Sequence, residues 1–207
     1  MIIIKTTFEE KTFNFVIELE SEEKLSVSYD TYEAYKLSTG IDLDDFLLEK
    51  LREENQFIYA RKKALNFIDY KARSEFEVRK KLRSLGVRDH VIDLVIEDLF
   101  KKSYLDDDQY AREFLRQCLE LKKYSLLLSR QKLYQKGINK DIIDKLFEND
   151  NLDIINLENA RFQAEKKSRN KDLFDRKVFQ KVYRYLLSKG FSYEISKQVL
   201  DELKNDE

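Results

Sequence analysis

KKLRSLGVRDHVIDLVIEDL, residues 80–99, decides the fold, because its pattern returns twice further along the chain. QKLYQKGINKDIIDKLFEND fills residues 131–150 and RYLLSKGFSYEISKQVLDEL fills residues 184–203. Gly86, Gly137 and Gly190 align, each with a leucine four residues earlier: Leu82, Leu133 and Leu186. Val87, Ile138 and Phe191 follow directly, and Val91, Ile142 and Ile195 come five residues after the glycine. Val95, Leu146 and Val199 come nine after it. Four glycines and no proline punctuate the 207 residues, so three glycines at intervals of 51 and 53 mark a repeat. Such a chain is a tandem array of small units, which offers a surface for something long.

One unit reads as three helices. Ser74 with Glu77 three residues later forms a capping box. Gly86 ends that helix, where a left-handed residue carries no Cβ penalty. Val91, Ile92, Val95, Ile96 and Leu99 then supply one apolar face of a second helix. Upstream, Phe57, Ala60, Ala64, Leu65, Phe67 and Ile68 give another. In the second unit Asp106 is an N-cap with Gln109 at N3, and Leu105 is placed to staple on Tyr110. Ala111, Phe114, Leu115, Cys118 and Leu119 form its apolar face. The third unit begins near Leu157, with Ala160, Phe162 and Ala164 on its first helix.

The first 56 residues differ. Phe13, Phe15, Ile17 and Leu19 alternate as in a strand, with Ile2–Phe8 and Lys24–Ser28 as flanking strands. A small sheet needs a cover, and Asp30–Leu37 is the expected one. Asp42–Glu54 starts a further helix, and nothing between Asp45 and Tyr70 breaks it. The expectation is a mainly α protein: tandem three-helix repeats in an elongated curved array, preceded by a small strand-rich α+β domain. Its divisions are residues 1–56, 57–104, 105–153 and 154–207.

Charge separates along the chain. Residues 1–56 hold 6 basic and 14 acidic side chains, whereas residues 57–207 hold 33 and 26. That asymmetry suggests two surfaces with different partners. Residues 57–104 are the most basic, with 12 cations against 7 carboxylates. Arg61, Lys62, Lys63, Arg73, Arg79, Lys80, Lys81 and Arg83 are the candidates for a face that meets phosphates or acidic protein. A solvated helix face is the bland reading of the same run.

Signals for catalysis are missing. His90 is the only histidine and Cys118 the only cysteine, so neither a triad nor a usual zinc set can be assembled. The glycines are isolated, so no phosphate-cradling loop is legible. Asp106-Asp107-Asp108 reads as a helix start favoured by the dipole, with a magnesium site as the weaker alternative. Tyr124, Tyr134 and Tyr183 are core or half-buried by default, and stack on bases if exposed. No enzymatic activity, metal or cofactor is expected. No apolar run spans a membrane and MIIIKTTFEEK lacks a signal-peptide layout, so the expectation is a cytoplasmic monomer.

ALNFIDYKARSEFEVRKKLRSLGV, DLFKKSYLDDDQYAREFL and QKLYQKGINKDIIDKLF together resemble the RecX family, regulators of the bacterial RecA recombinase. The blocks fall on Ala64-Leu65, Arg73–Glu77, Leu82–Gly86, Tyr104–Ala111 and Leu133–Ile138, and the resemblance covers about residues 57–203. Ser103 stands where the family pattern has glycine, and Tyr124–Leu128 replace its Gly-Pro and basic residue. The resemblance implies binding in the groove of the RecA filament on DNA, with strand exchange and ATP turnover inhibited. The alternative is a direct nucleic-acid binder, because two helices joined at each glycine look like a helix-turn-helix. Single- or double-stranded DNA bound weakly alone is the further partner expected.

Overall fold

The computed structural model describes residues 1–149, 151–169 and 171–205. Residues Met1–Leu105 form one compact unit and Asp106–Glu207 the other.

In the first unit, β1 (Ile3–Glu9), β2 (Asn14–Leu19) and β3 (Lys24–Ser28) form an antiparallel sheet in the order β1-β2-β3. Ile3, Ile17, Leu19, Leu25 and Val27 are buried on one face. Phe13, read as a strand residue, lies instead in the β1–β2 turn with φ +57. The expected cover is part of the one observed, since Tyr32 and Leu37 of Asp30–Leu37 pack on the sheet's core. The run Asp30–Leu37 yields only a short helix, α1 (Tyr29–Ala34), with no buried residue; Lys36 at φ +50 follows its end. The rest of the cover comes from α2 (Asp45–Tyr70), whose Leu48 and Leu51 share the sheet's core with Leu37 and Leu43.

The helix α2 is uninterrupted for 26 residues and carries a second core on its later turns. There Ala60 and Ala64 pack with Val78 and Leu82 of α3 (Glu75–Ser84) and with Val91, Ile92, Val95 and Leu99 of α4 (Asp89–Lys101). The alanines leave room for the close approach of neighbouring helices. Midway, Asn55 and Glu54 of α2 accept from the backbone N–H groups of Ser26 and Ser28, at 2.9 Å each. Those bonds satisfy donors on the outer edge of β3 that a free edge would expose.

In the second unit, α5 (Asp107–Arg116) continues into a π-helical turn, Gln117–Leu121, that periodicity does not anticipate. α6 (Leu126–Gln135) and α7 (Lys140–Leu146) complete the repeat. α8 (Leu152–Ser168), α9 (Arg176–Ser188) and α10 (Tyr193–Asn205) form the next. α8 starts five residues earlier than its expected beginning at Leu157. Ala111 and Ala160 are fully buried, as Ala64 is, whereas Phe162 faces solvent at 46% exposure. Asp106 caps α5 by accepting from Gln109 N–H at 2.8 Å. Leu105 belongs to the α2–α4 core, and Tyr110 packs on the α5–α7 core.

The repeat glycines end α3, α6 and α9 in the same manner. Their φ angles are +76, +74 and +81. Val87, Ile138 and Phe191 donate backbone N–H bonds to the carbonyls of Leu82, Leu133 and Leu186, at 3.3, 3.2 and 3.2 Å. This six-to-one bond defines the Schellman motif. The same leucine therefore fills the core with its side chain and closes the helix end with its carbonyl. Its spacing from the glycine is fixed by both tasks at once.

Helix α4 ends by the same bond without a glycine. Tyr104 N–H donates to Leu99 O at 2.9 Å, and Ser103 takes φ +57. A left-handed conformation costs a non-glycine residue about 1–2 kcal/mol, part of which glycine returns as unfolded-state entropy. Ser103→Gly is expected to stabilise the chain by about 0.5–1 kcal/mol, read as a raised midpoint in urea unfolding.

Candidate functional site

The basic run of residues 61–83 separates, in the folded chain, into arginines held by carboxylates and lysines left free. Arg61 Nε lies 2.6 Å from Asp98, joining α2 to α4. Arg79 bridges Glu75 at 2.6 Å and Asp93 at 2.5 Å, joining α3 to α4. Arg83 reaches Asp89 at 2.8 Å. Arg73 lies over the Phe67 ring with its guanidinium carbon 4.2 Å from the centroid, and stands 3.8 Å from Glu77. These bonds follow from planar guanidinium forks that pair with carboxylates in fixed geometry. Burial works against charge on Asp98, yet hydrogen bonds from Lys102 and Arg61 hold its carboxyl below the ordinary range.

Lys62 and Lys63 on α2, and Lys80 and Lys81 on α3, are exposed. None of the four has a carboxylate partner among the described residues; Lys63 only covers the Tyr59 ring, at 5.3 Å. Lys62 and Arg61 meet Lys102 in a groove of about 490 Å³ whose opposite wall is the β1–β2 turn, with Thr12 and Asn14. Phe57, Ile58 and Leu65 give it an apolar floor. Asp98 lines the same groove and pairs with Arg61 and Lys102, at 2.6 Å each, which leaves Lys62 as the groove lysine with no carboxylate partner among the described residues. That assembly is invisible in the sequence, because Thr12 and Asn14 are far from α2 along the chain.

The remaining candidates are structural in their contacts. His90 Nε2 lies 2.9 Å from Glu53 and is half exposed, so it ties α4 to the acidic half of α2. Arg88 adds a 2.6 Å bond to Glu49. Cys118 is buried, which raises its thiol pKa, although Lys122 and Lys132 pull it the other way. Among the described residues no group of histidine, cysteine and carboxylates is arranged to hold a metal. No helix among them is long and apolar enough to cross a membrane.

A polar stripe on α8 is the feature that sequence reading missed. Asn156, Asn159 and Gln163 are buried at the face that receives the loop from Leu119 to Leu126. Asn159 Nδ2 donates to Leu119 O at 2.9 Å and Tyr124 O at 3.1 Å. Gln163 Nε2 donates to Lys123 O at 3.1 Å, and its Oε1 accepts from Tyr185 OH at 2.9 Å. Asn156 accepts from Leu126 N–H at 3.1 Å. Ser125 caps α6 and also donates to Lys189 O at 2.8 Å. One signal was available: Ser125 precedes Gly137 by the same interval as Ser74 precedes Gly86.

Among the described residues one sheet core and three three-helix cores follow one another along the sequence, with exposed lysines that have no carboxylate partner there and arginines paired between helices, which define a tandem three-helix repeat protein. Family models described as the first, second and third three-helix domains of RecX match residues 60–99, 106–146 and 153–200. The chain belongs to the RecX family. It is 35% identical to the regulatory protein RecX of Finegoldia magna over 96% of this chain and 98% of that one. It is 32% identical to that of Streptococcus uberis over 92% and 73%. A crystal structure of regulatory protein RecX matches 97% of this chain and 98% of its own with a TM-score of 0.73 at 24% identity, which speaks to the fold. RecX from Lactobacillus salivarius matches 72% of this chain and 97% of its own with a TM-score of 0.62 at 27% identity.

Proposed function

We propose that this chain is a non-enzymatic, cytoplasmic regulator of the RecA recombinase that acts as a monomer on the RecA–DNA filament and lowers strand exchange and ATP turnover. The observation that carries this reading is the ordered match to all three RecX three-helix domains, in relatives named regulatory proteins. Lys62, Lys63, Lys80 and Lys81 are the side chains proposed to face the filament. Arg61, Arg73, Arg79 and Arg83 hold the helices that present them, through the bonds to Asp98, Glu77, Glu75, Asp93 and Asp89. Exposed lysines retain their charge and reach, whereas a paired arginine must first surrender a partner.

The test is RecA ATPase on single-stranded DNA, titrated with the native chain and with Lys62, Lys63, Lys80 and Lys81 all changed to glutamate. The expected outcome is inhibition by the native chain and at least about a tenfold higher concentration for half-inhibition by the variant, since each removed surface contact contributes up to about 1 kcal/mol. Native-like inhibition by the variant overturns the assignment of these lysines. Absence of inhibition by the native chain overturns the reading itself.

A further inference from the structure

The second unit carries a cation cluster that the basic run of the first unit overshadows in the sequence. Lys122 and Lys132 lie over the Tyr124 ring, with Nζ 5.8 and 5.4 Å from its centroid. Lys167 and Lys189 lie over the Tyr185 ring, at 4.8 and 5.5 Å. The two tyrosines are joined through α8. Asn159 binds the carbonyl of Tyr124, and Gln163, one helical turn further on, binds the hydroxyl of Tyr185. Gln163 also binds the carbonyl of Lys123. The four lysines therefore stand around one seam, where the loop of the second repeat meets α8 and α9 of the third.

Two facts set this cluster apart from a solvated helix face. None of the four lysines has a carboxylate partner among the described residues, while nearby acids are taken elsewhere. Glu120 pairs with Arg116 at 2.9 Å and Glu165 with Arg161 at 3.3 Å. Like charges are thus collected with no internal neutralisation, which costs free energy unless an anion arrives. The second fact is preorganisation. Buried amides hold the backbone of Tyr124 and the hydroxyl of Tyr185, Asn159 at 1% exposure and Gln163 at 8%, so little of the platform needs to be ordered by its ligand.

We propose that this seam is a binding site for single-stranded nucleic acid, with Lys122, Lys132, Lys167 and Lys189 taking backbone phosphates and the faces of Tyr124 and Tyr185 taking unpaired bases. Ammonium groups resting on tyrosine faces shield them from water. When phosphates draw those groups outward, each ring is left with a free face at the spacing of a stacked base. Only a single strand can present its bases to the rings while its phosphates meet the lysines, so a duplex forfeits the stacking part. The site lies in the second unit and requires no recombinase, so it stands or falls separately from the filament reading.

The experiment is fluorescence anisotropy of an end-labelled oligothymidylate titrated with the full chain, over a series of salt concentrations. Lys122, Lys132, Lys167 and Lys189 are changed together to glutamine, and the control variant carries glutamine at Lys5, Lys11, Lys24 and Lys36, exposed lysines of the acidic N-terminal domain. Melting curves for both variants verify that they fold. Four phosphate contacts predict a log–log salt slope that becomes shallower by about 2.8 in the seam variant, with affinity reduced at least about tenfold at low salt. The control is expected to keep the native slope, and Tyr124→Leu is expected to weaken oligothymidylate several-fold while leaving duplex binding unchanged. The chain lacks tryptophan, so quenching of tyrosine emission on oligothymidylate binding reports stacking directly. The proposal is overturned by an unchanged slope in the seam variant, by equal losses in seam and control variants, or by no binding of the native chain at low salt. Equal competition from polyglutamate of matched charge assigns the seam to acidic protein instead and also overturns it.

Discussion

Gly190→Ala is expected to destabilise the chain by about 2–3 kcal/mol, roughly twice the effect of Gly86→Ala. Both glycines hold a left-handed φ, +81 and +76, so alanine at either meets the Cβ penalty of that conformation. At Gly86 nothing else lies within 4 Å of the added carbon. At Gly190 the carbon comes 2.8 Å from Ser125 Oγ. That oxygen is in a fully buried residue, accepts from Leu128 N–H at 3.1 Å and donates to Lys189 O at 2.8 Å. It cannot withdraw without uncapping α6, and a lost cap costs about 1 kcal/mol. Equilibrium unfolding in urea separates the two. The expected order is native, then Gly86→Ala, then Gly190→Ala, and equal midpoints for the two variants would refute the crowding at Ser125. Pairing the change with Ser125→Gly should restore part of the loss in Gly190→Ala and none in Gly86→Ala.

Asn159→Ala is expected to cost about 2–4 kcal/mol, a larger loss than any exposed substitution in the chain. The side chain is 1% exposed and its amide donates to the carbonyls of Leu119 and Tyr124. Those carbonyls close the π-helical turn and open the loop toward α6, where helical bonding cannot satisfy both. Alanine leaves them without a donor in a place that water does not freely enter, and each such group carries a desolvation penalty of about 1–3 kcal/mol. Asn159→Leu, which fills the volume but donates nothing, is expected to be no better than alanine. Thermal melting of the full chain checks the magnitude. Native-like stability for both variants would show that the loop finds other donors.

The repeat was legible because it satisfies two periodic demands with few residues. Leu82, Leu133 and Leu186 are fully buried and accept the Schellman bond, so their distance from the glycine admits no drift. Capping by Ser74 and Asp106 was legible for the same reason: a cap is a local bond across three residues. The helix α2 was legible from the absence of any breaker, and its two ends pack on different cores. The cover was legible in part: Tyr32 and Leu37 of the run Asp30–Leu37 pack on the sheet's core, and the rest comes from Leu48 and Leu51 of α2 and from Leu43.

The basic face illustrates the limit more sharply. Charge along the chain does not distinguish Arg79, tied to Glu75 and Asp93, from its neighbour Lys80, which has no carboxylate partner among the described residues. The difference arises because Asp93 belongs to α4 and meets α3 only after both helices pack on Val78, Leu82 and Val91. The amides of α8 were passed over for a similar reason. Asn156, Asn159 and Gln163 look like solvent-facing residues, and the backbone groups they bind, the N–H of Leu126 and the carbonyls of Leu119, Tyr124 and Lys123, lie 30 to 40 residues away.

By itself the sequence determined the repeat, the three glycine turns, the caps and the mainly helical class, since each rests on bonds or apolar contacts within a few turns of helix. Tertiary structure alone decided which cations find a carboxylate partner, what completes the cover of the N-terminal sheet, and why Gly190 cannot carry a side chain even apart from its φ. Those outcomes depend on carboxylates, carbonyls and a serine hydroxyl brought from distant segments, and no local pattern encodes which distant group will arrive.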